Sequence, residues 1–276
     1  MSAAAAFAVF AASLLAVAGW LVAPWALTAL RRSRVRRQPF PAEWRELLRR
    51  RMPYFRQLPA DLQLQLKKHT QVLLAEVPFI GCADLVVTTE MRVLIAAQAA
   101  LLLLNRRSGS FRNLRQVLVY PGAFVVDRPV ADGHGITQDQ RRALAGESWQ
   151  QGQVILSWQD VLEGAAAPDD GHNVVIHEFA HQLDQETGPA NGAPWLPGRA
   201  ARDRWARTLS AEFAALHERL ARGETGLIDV YGATDPAEFF AVVSELFFER
   251  PSVLAADHPA LYRELTVCYR TDPLSW

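Results

Sequence analysis

Apolar residues fill positions 3–30 almost without a break; only Ser13, Gly19, Pro24 and Thr28 interrupt them. A helix needs about 20 apolar residues to cross the hydrocarbon core of a bilayer, so the run predicts one N-terminal transmembrane helix. Trp20 and Trp25 stand toward its C-terminal end, where indoles favour the interface. Beyond it the pattern changes. Residues 59–77 place apolar side chains at helical spacing, with Asp61 near the start, and predict a capped amphipathic helix. Residues 88–105 are apolar on nearly every face. Their uncharged run, 93–104, is too short to span a bilayer and predicts a core helix. Residues 117–126 and 154–158 read as strands, with "QQG" at 150–152 as a turn before the second. From 174 onward helix signals dominate. The expected class is α+β: a small sheet packed with helices, and a mostly helical C-terminal half.

Charge sharpens the N-terminal reading. Residues 1–30 carry no charged side chain, whereas residues 31–51 carry nine arginines and two glutamates. The positive-inside rule puts the arginine-rich end of an anchor in the cytoplasm. A cleaved signal peptide is disfavoured, because "MSAAAAFAVF" lacks a charged start. The expected organisation is an anchor at 1–30, a basic juxtamembrane linker at 31–52 that includes Pro39 and Pro41, and one domain at 53–276. That makes a single-pass protein of a bacterial inner membrane whose domain faces the cytoplasm. Formal net charge is +0, so no global field favours direct nucleic-acid binding. Cys82 and Cys268 form neither a C-x-x-C pair nor a disulfide framework, which excludes a cysteine-based zinc knuckle and suits a reducing compartment.

Candidate chemistry is concentrated in "VVIHEFAHQLD", 174–184. His177 and His181 at i and i+4 share one helical face, so both imidazoles can reach one Zn²⁺. Glu178 is displaced around the helix, where it can act as general base while staying out of the coordination shell. The rest of the helix is apolar, and buried ionisable groups at this density need a reason. Asp184, one turn beyond His181, is either an orienting partner for a ligand histidine or a plain helix-end aspartate. The Pro- and Gly-rich loop at 186–198 either frames a cleft or only connects elements.

A third ligand must come from elsewhere. The metzincin extension is excluded, because its histidine and glycine positions hold Thr187 and Asp184. Residues 201–206, "ARDRWA", offer no glutamate, and Asp203 lies among arginines. Residues 235–249 are better. Asp235 and Pro236 begin a helix that is apolar on most faces, so carboxylates within it need partners. Glu238 and Glu245 lie two turns apart on one stripe. Glu238 also occupies the position of a capping-box glutamate. Spacing alone does not choose between the two.

"SWQQGQVILSW", "HEFAHQLD", "YGATDPAEFFAVVSE" and the closing "DPLSW" together resemble the Mlc titration factor A family of zinc-dependent peptidases, over residues 53–276. The resemblance implies a zincin-like metallopeptidase domain similar to the protease domain of anthrax lethal factor. It implies one zinc per chain held by His177, His181 and Glu238, with Glu178 as catalytic base. Glu245 is then left beside the ligand shell. Tyr231, which by its position alone reads as a core tyrosine before a helix, becomes an active-site residue. The family is named for binding Mlc, a DNA-binding repressor, so a repressor is an implied partner beside a peptide or protein substrate. The expected function is a membrane-anchored zinc peptidase. The alternative is a non-catalytic anchored protein that sequesters a repressor, with a structural or vestigial zinc site. Residues 154–158 are either an edge strand that pairs with an extended peptide or an ordinary core strand.

Overall fold

The computed structural model describes residues 3–106, 110–131, 137–144, 146–149 and 152–276. The chain forms two compact units, Met1–Pro39 and Phe40–Trp276. The first is one helix, α1 (Ala3–Arg37), with Pro24 inside it and arginines in its last turn. Among the described residues, no helix is long and apolar enough to cross a membrane. That corrects the expected transmembrane anchor, and with it the single-pass inner-membrane location and the cytoplasmic facing inferred from it. Two features made the apolar run misleading. Twelve of the residues from 3 to 30 are alanine, whose single methyl carries little apolar surface. The helix also does not stop where the apolar run stops, but continues through "RRSRVRR".

The second unit opens with α2 (Ala42–Arg51), α3 (Tyr54–Gln57) and α4 (Ala60–Glu76). Leu47 and Leu48 of α2 are buried, as are Tyr54 and Phe55 of α3. Strand β1 (Phe79–Gly81) leads to α5 (Thr89–Leu101), which begins where the Thr88 hydroxyl accepts the Met91 N–H at 3.3 Å. Every residue from Val93 to Leu104 is at most 1 % exposed, as a helix apolar all round requires.

The expected strand at 117–126 is two strands, β2 (Gln116–Tyr120) and β3 (Phe124–Ala131), because Pro121 and Gly122 interrupt it. β3 pairs antiparallel with β4 (Thr137–Leu144) as a separate two-stranded sheet. Then come β5 (Gly146–Trp149) and β6 (Gln153–Ser157). Gln150 and Gln151, most of the expected turn, lie outside the described residues. The main sheet has the order β1-β2-β6-β5: β1, β2 and β6 run parallel, and β5 runs antiparallel on the edge. Strand β6 is therefore paired on both sides, so the edge-strand reading of 154–158 is corrected and the core-strand reading holds. Its run of Val154, Ile155 and Leu156 fits a doubly paired strand buried on both faces. Trp158 is not in the strand; Ser157 accepts the Asp160 N–H at 3.4 Å and turns the chain into α6 (Trp158–Ala166).

Helices account for the remainder: α7 (Val174–Asp184), α8 (Arg199–Ala221), α9 (Pro236–Glu249), α10 (Pro251–Asp257) and α11 (Pro259–Tyr269). Helix α9 is the centre of the core. Phe239, Phe240, Phe247 and Phe248 are all at most 2 % exposed, and the rings of Phe240, Phe247 and Phe248 pack around Tyr269 of α11. A buried Phe or Leu side chain contributes roughly 1.5–3 kcal/mol, so packing is a large part of what holds α9 among its neighbours. The architecture is α+β, mostly helical with a small sheet, and its first helix after β6 leads directly into the site.

Candidate metal centre

The site begins with the cap of α7. The Asn173 side chain accepts the N–H groups of Val175 and Ile176 at 3.1 and 3.0 Å. Its amide nitrogen donates to Gln98 Oε1 of α5 and to the Gly164 carbonyl of α6, both at 3.0 Å. One residue thus fixes the start of α7 from two neighbouring helices. Val175, Ile176, Phe179, Ala180 and Leu183 bury one side of α7. The other side carries His177 and His181, whose ring centroids are 5.0 Å apart. Both rings are nearly buried, as is Glu178 between them in sequence.

Helix α9 supplies the facing carboxylate. Asp235 caps it, accepting the N–H groups of Ala237 and Glu238 at 2.8 and 3.0 Å, and Pro236 occupies the first turn. Glu238 does not fold back as a capping-box partner. Its Oε2 lies 3.0 Å from His177 Nε2 and 3.3 Å from His181 Nε2. One ligand atom from each of the three residues lies within 4.8 Å of the others.

These distances fit a metal ion. Ligand atoms about 2.0–2.1 Å from a tetrahedral centre stand about 3.3 Å from one another. The donor set, two imidazoles and a carboxylate, is that of an open site with a position left for water. Without a cation the three groups must share protons. The proximity holds Glu238 well below the usual carboxylate range: burial opposes this, but hydrogen bonds and charge from His177 and His181 outweigh it. Burial likewise lowers His177, yet Glu245 and Glu238 outweigh it and raise the ring well above the ordinary imidazole range.

Glu245 has a separate task. Its Oε1 accepts from His177 Nδ1 at 2.7 Å, and its Oε2 accepts the Asn173 N–H at 2.6 Å. With Nδ1–H donated to a carboxylate, it is Nε2 that faces Glu238 and His181, and a neutral ring would carry its lone pair there. Glu238 and Glu245 therefore grip opposite nitrogens of the same ring. Glu249, one turn further along α9, accepts the Gly171 N–H at 3.0 Å and so holds the segment before α7. Glu249 continues the stripe of Glu238 and Glu245, whereas Asn173 was not among the residues singled out from sequence. The signal for Asn173 was available, since an Asn directly before an apolar helical run is a capping residue.

Burial raises the Glu249 carboxyl from its ordinary 4.5 to about 9, with the nearby Asp170 and Glu245 carboxylates adding to it and a bond from Asn173 opposing it. Between those values the folded chain holds a proton that the unfolded chain has released, so stability falls as pH rises through that window. Glu249→Gln keeps the neutral shape. Thermal melting of the metal-free protein from about pH 5 to about pH 9 is expected to show the midpoint falling in the wild type and a flatter profile in Glu249→Gln. Parallel profiles would count against a buried neutral carboxyl.

Tyr231 lies on a short 3-10 turn, Val230–Ala233, after Asp229, which accepts the Tyr231 N–H at 2.7 Å. It is 40 % exposed, so it is not a core tyrosine, and its ring centroid is 5.9 Å from that of His177. Asp184 is completely buried, but its hydrogen bonds go to the N–H groups of Asn191, Gly192 and Ala193 at 2.7–2.8 Å and not to a histidine ring. The reading of Asp184 as an orienting partner is therefore corrected: three loop N–H groups saturate its oxygens. Asp203 is on α8, paired at 3.7 Å with Arg199 and half exposed, outside the site. Strand β5 packs against α7 and forms the sheet edge beside it.

A protein of Synechocystis, "Uncharacterized protein slr2042", is 40 % identical over 238 residues, which is 86 % of each chain. Mlc titration factor A of Salmonella agona is 43 % identical over 161 residues, 57 % of this chain and 60 % of that one. Mlc titration factor A of Klebsiella pneumoniae is 42 % identical over 163 residues, 58 % of this chain and 60 % of that one. The model of the family described as glucose-regulated metallo-peptidase M90 matches residues 27–270. With two histidines and a glutamate already converging on one point, that match over most of the chain means that the protein belongs to the glucose-regulated metallo-peptidase M90 family.

Proposed function

We propose that the chain is a zinc-dependent peptidase whose metal is held by His177, His181 and Glu238. The observation that carries this reading is the convergence of those three ligand atoms within 4.8 Å, on helices the core holds rigid. A zinc ion bound there supplies Lewis acidity, lowering the pKa of water toward about 7 and polarising a peptide carbonyl. Glu178 accepts the proton of the attacking water and returns it to the leaving amine. Glu245 keeps His177 in the tautomer that presents Nε2. Tyr231, exposed beside the His177 ring, donates its O–H to the oxyanion that develops at the carbonyl. An extended substrate adds to the outer side of β5, beyond which the described residues place no strand and which lies along α7.

A second reading has its own support. Relatives 42–43 % identical to this chain bear the name Mlc titration factor A, so the same domain serves as a binding module for a regulatory protein, beside catalysis or in place of it. Metal content and turnover separate the two. The purified chain is expected to carry about one zinc. It is expected to cleave members of a peptide library, to stop when chelated and to resume with added zinc. Zinc-loaded protein that cleaves nothing would leave only the binding reading.

A further inference from the structure

Both helices of the metal centre end on the same backbone segment. Asp184, the last residue of α7, lies three positions after His181 and takes the N–H groups of Asn191, Gly192 and Ala193 at 2.8, 2.7 and 2.8 Å. The Gly192 carbonyl accepts Trp205 Nε1–H of α8 at 2.8 Å, in a buried position. Gly192 itself sits at φ +75°, and a Cβ placed on it would stand 2.4 Å from the Pro236 carbonyl oxygen. Pro236 is the first residue of α9, two before Glu238. The obstacle is backbone, so it does not swing away as a side-chain tip would.

We infer that Asp184 and Gly192 are positioning residues for the third metal ligand. The buried carboxylate fixes the loop against the end of α7, and the bare Cα of Gly192 lets the start of α9 close in until Glu238 meets His177 and His181. Both ends of α7 are then tied to α9, one through Glu245 and Asn173, the other through Asp184, Gly192 and Pro236. The loop at 186–198 is thus a spacer that sets a ligand distance, not a plain connection. This rests on the metal reading above, because the distance has a function only if an ion is held.

Chelator-competition titration of zinc against the full chain tests it, with melting of the metal-free protein as a check on folding. Gly192→Ala and Trp205→Phe are expected to weaken zinc binding by about 10–100-fold, the range found when groups behind a ligand are lost. Asp184→Asn, which keeps the size and loses the charge, is expected to fall in the same range. In a Glu238→Ala background the same changes are expected to alter zinc binding by less than about threefold, because a device acting through Glu238 has nothing left to act on. Wild-type affinity in folded Gly192→Ala and Trp205→Phe would overturn the inference and leave the metal site standing. An undiminished loss in the Glu238→Ala background would overturn it too, showing an effect through His181 or the fold. If the wild type takes up no zinc, or His181→Ala keeps it, the metal reading itself fails first.

Discussion

Glu178→Gln is expected to keep its zinc and to lose about 10²–10⁴-fold in kcat, the usual worth of a positioned general base. That corresponds to roughly 2.7–5.4 kcal/mol of barrier. The reasoning is geometric. Glu178 follows His177 directly, so it is turned about 100° around α7 from the ligand face. It is buried, and its charge contributes to the raised pKa of the His177 ring. The amide of Gln preserves size and cannot take a proton, so it separates base catalysis from metal binding. Single-turnover cleavage of a library peptide by zinc-loaded wild type and variant, with metal content measured on the same samples, gives the result. Cleavage at the wild-type rate with zinc present would remove Glu178 from the role of base; loss of zinc would make it a ligand.

The second large effect separates the two glutamates of α9. Glu238→Ala removes the oxygen that lies 3.0 and 3.3 Å from the two histidine Nε2 atoms, and two imidazoles alone are expected to hold zinc far more weakly, by more than about 10²-fold. Glu245→Gln removes only the charge opposite His177 Nδ1 and is expected to weaken zinc by about 10–100-fold, since the amide oxygen still accepts a hydrogen bond. The order of the two effects, read by the same chelator competition, is the test. If Glu245→Gln costs more zinc affinity than Glu238→Ala, the ligand and its supporting carboxylate have been exchanged.

The same pair shows how far the sequence could be read. Its pattern gave α7, because two histidines four apart on an apolar helix carry their own geometry. It brought both glutamates to one stripe but could not rank them, and the structure supplies the reason: they contact the two nitrogens of one ring, so both truly face His177. The ranking came from family resemblance. The two readings of Asp184 could not be separated because its partners are seven to nine residues on, in a loop whose N–H groups have no sequence pattern. Strands β1 and β5 escaped notice at three and four residues, below the length at which alternation can be seen. The edge-strand alternative for 154–158 consequently fell on β6, one strand inside the actual edge, β5. At the N-terminus, counting apolar letters gave alanine the same weight as leucine.

His177 and Glu238 are 61 positions apart in the chain. Bringing the ends of such a segment together costs about 3.6 kcal/mol, apart from a constant. Two or three buried apolar side chains offset that cost, and α7 and α9 each bury at least that many, among them Val175, Ile176 and Phe179 on one and Phe239, Phe240 and Phe247 on the other. The core thus brings the ligands together, in contrast to a zinc finger, where the ion does so and the chain unfolds when it leaves. On the metal reading proposed above, the ion would come last in the order of folding events, to a chelate already closed. Uptake of such an ion would not wait on the slow search of a chain for its own ends.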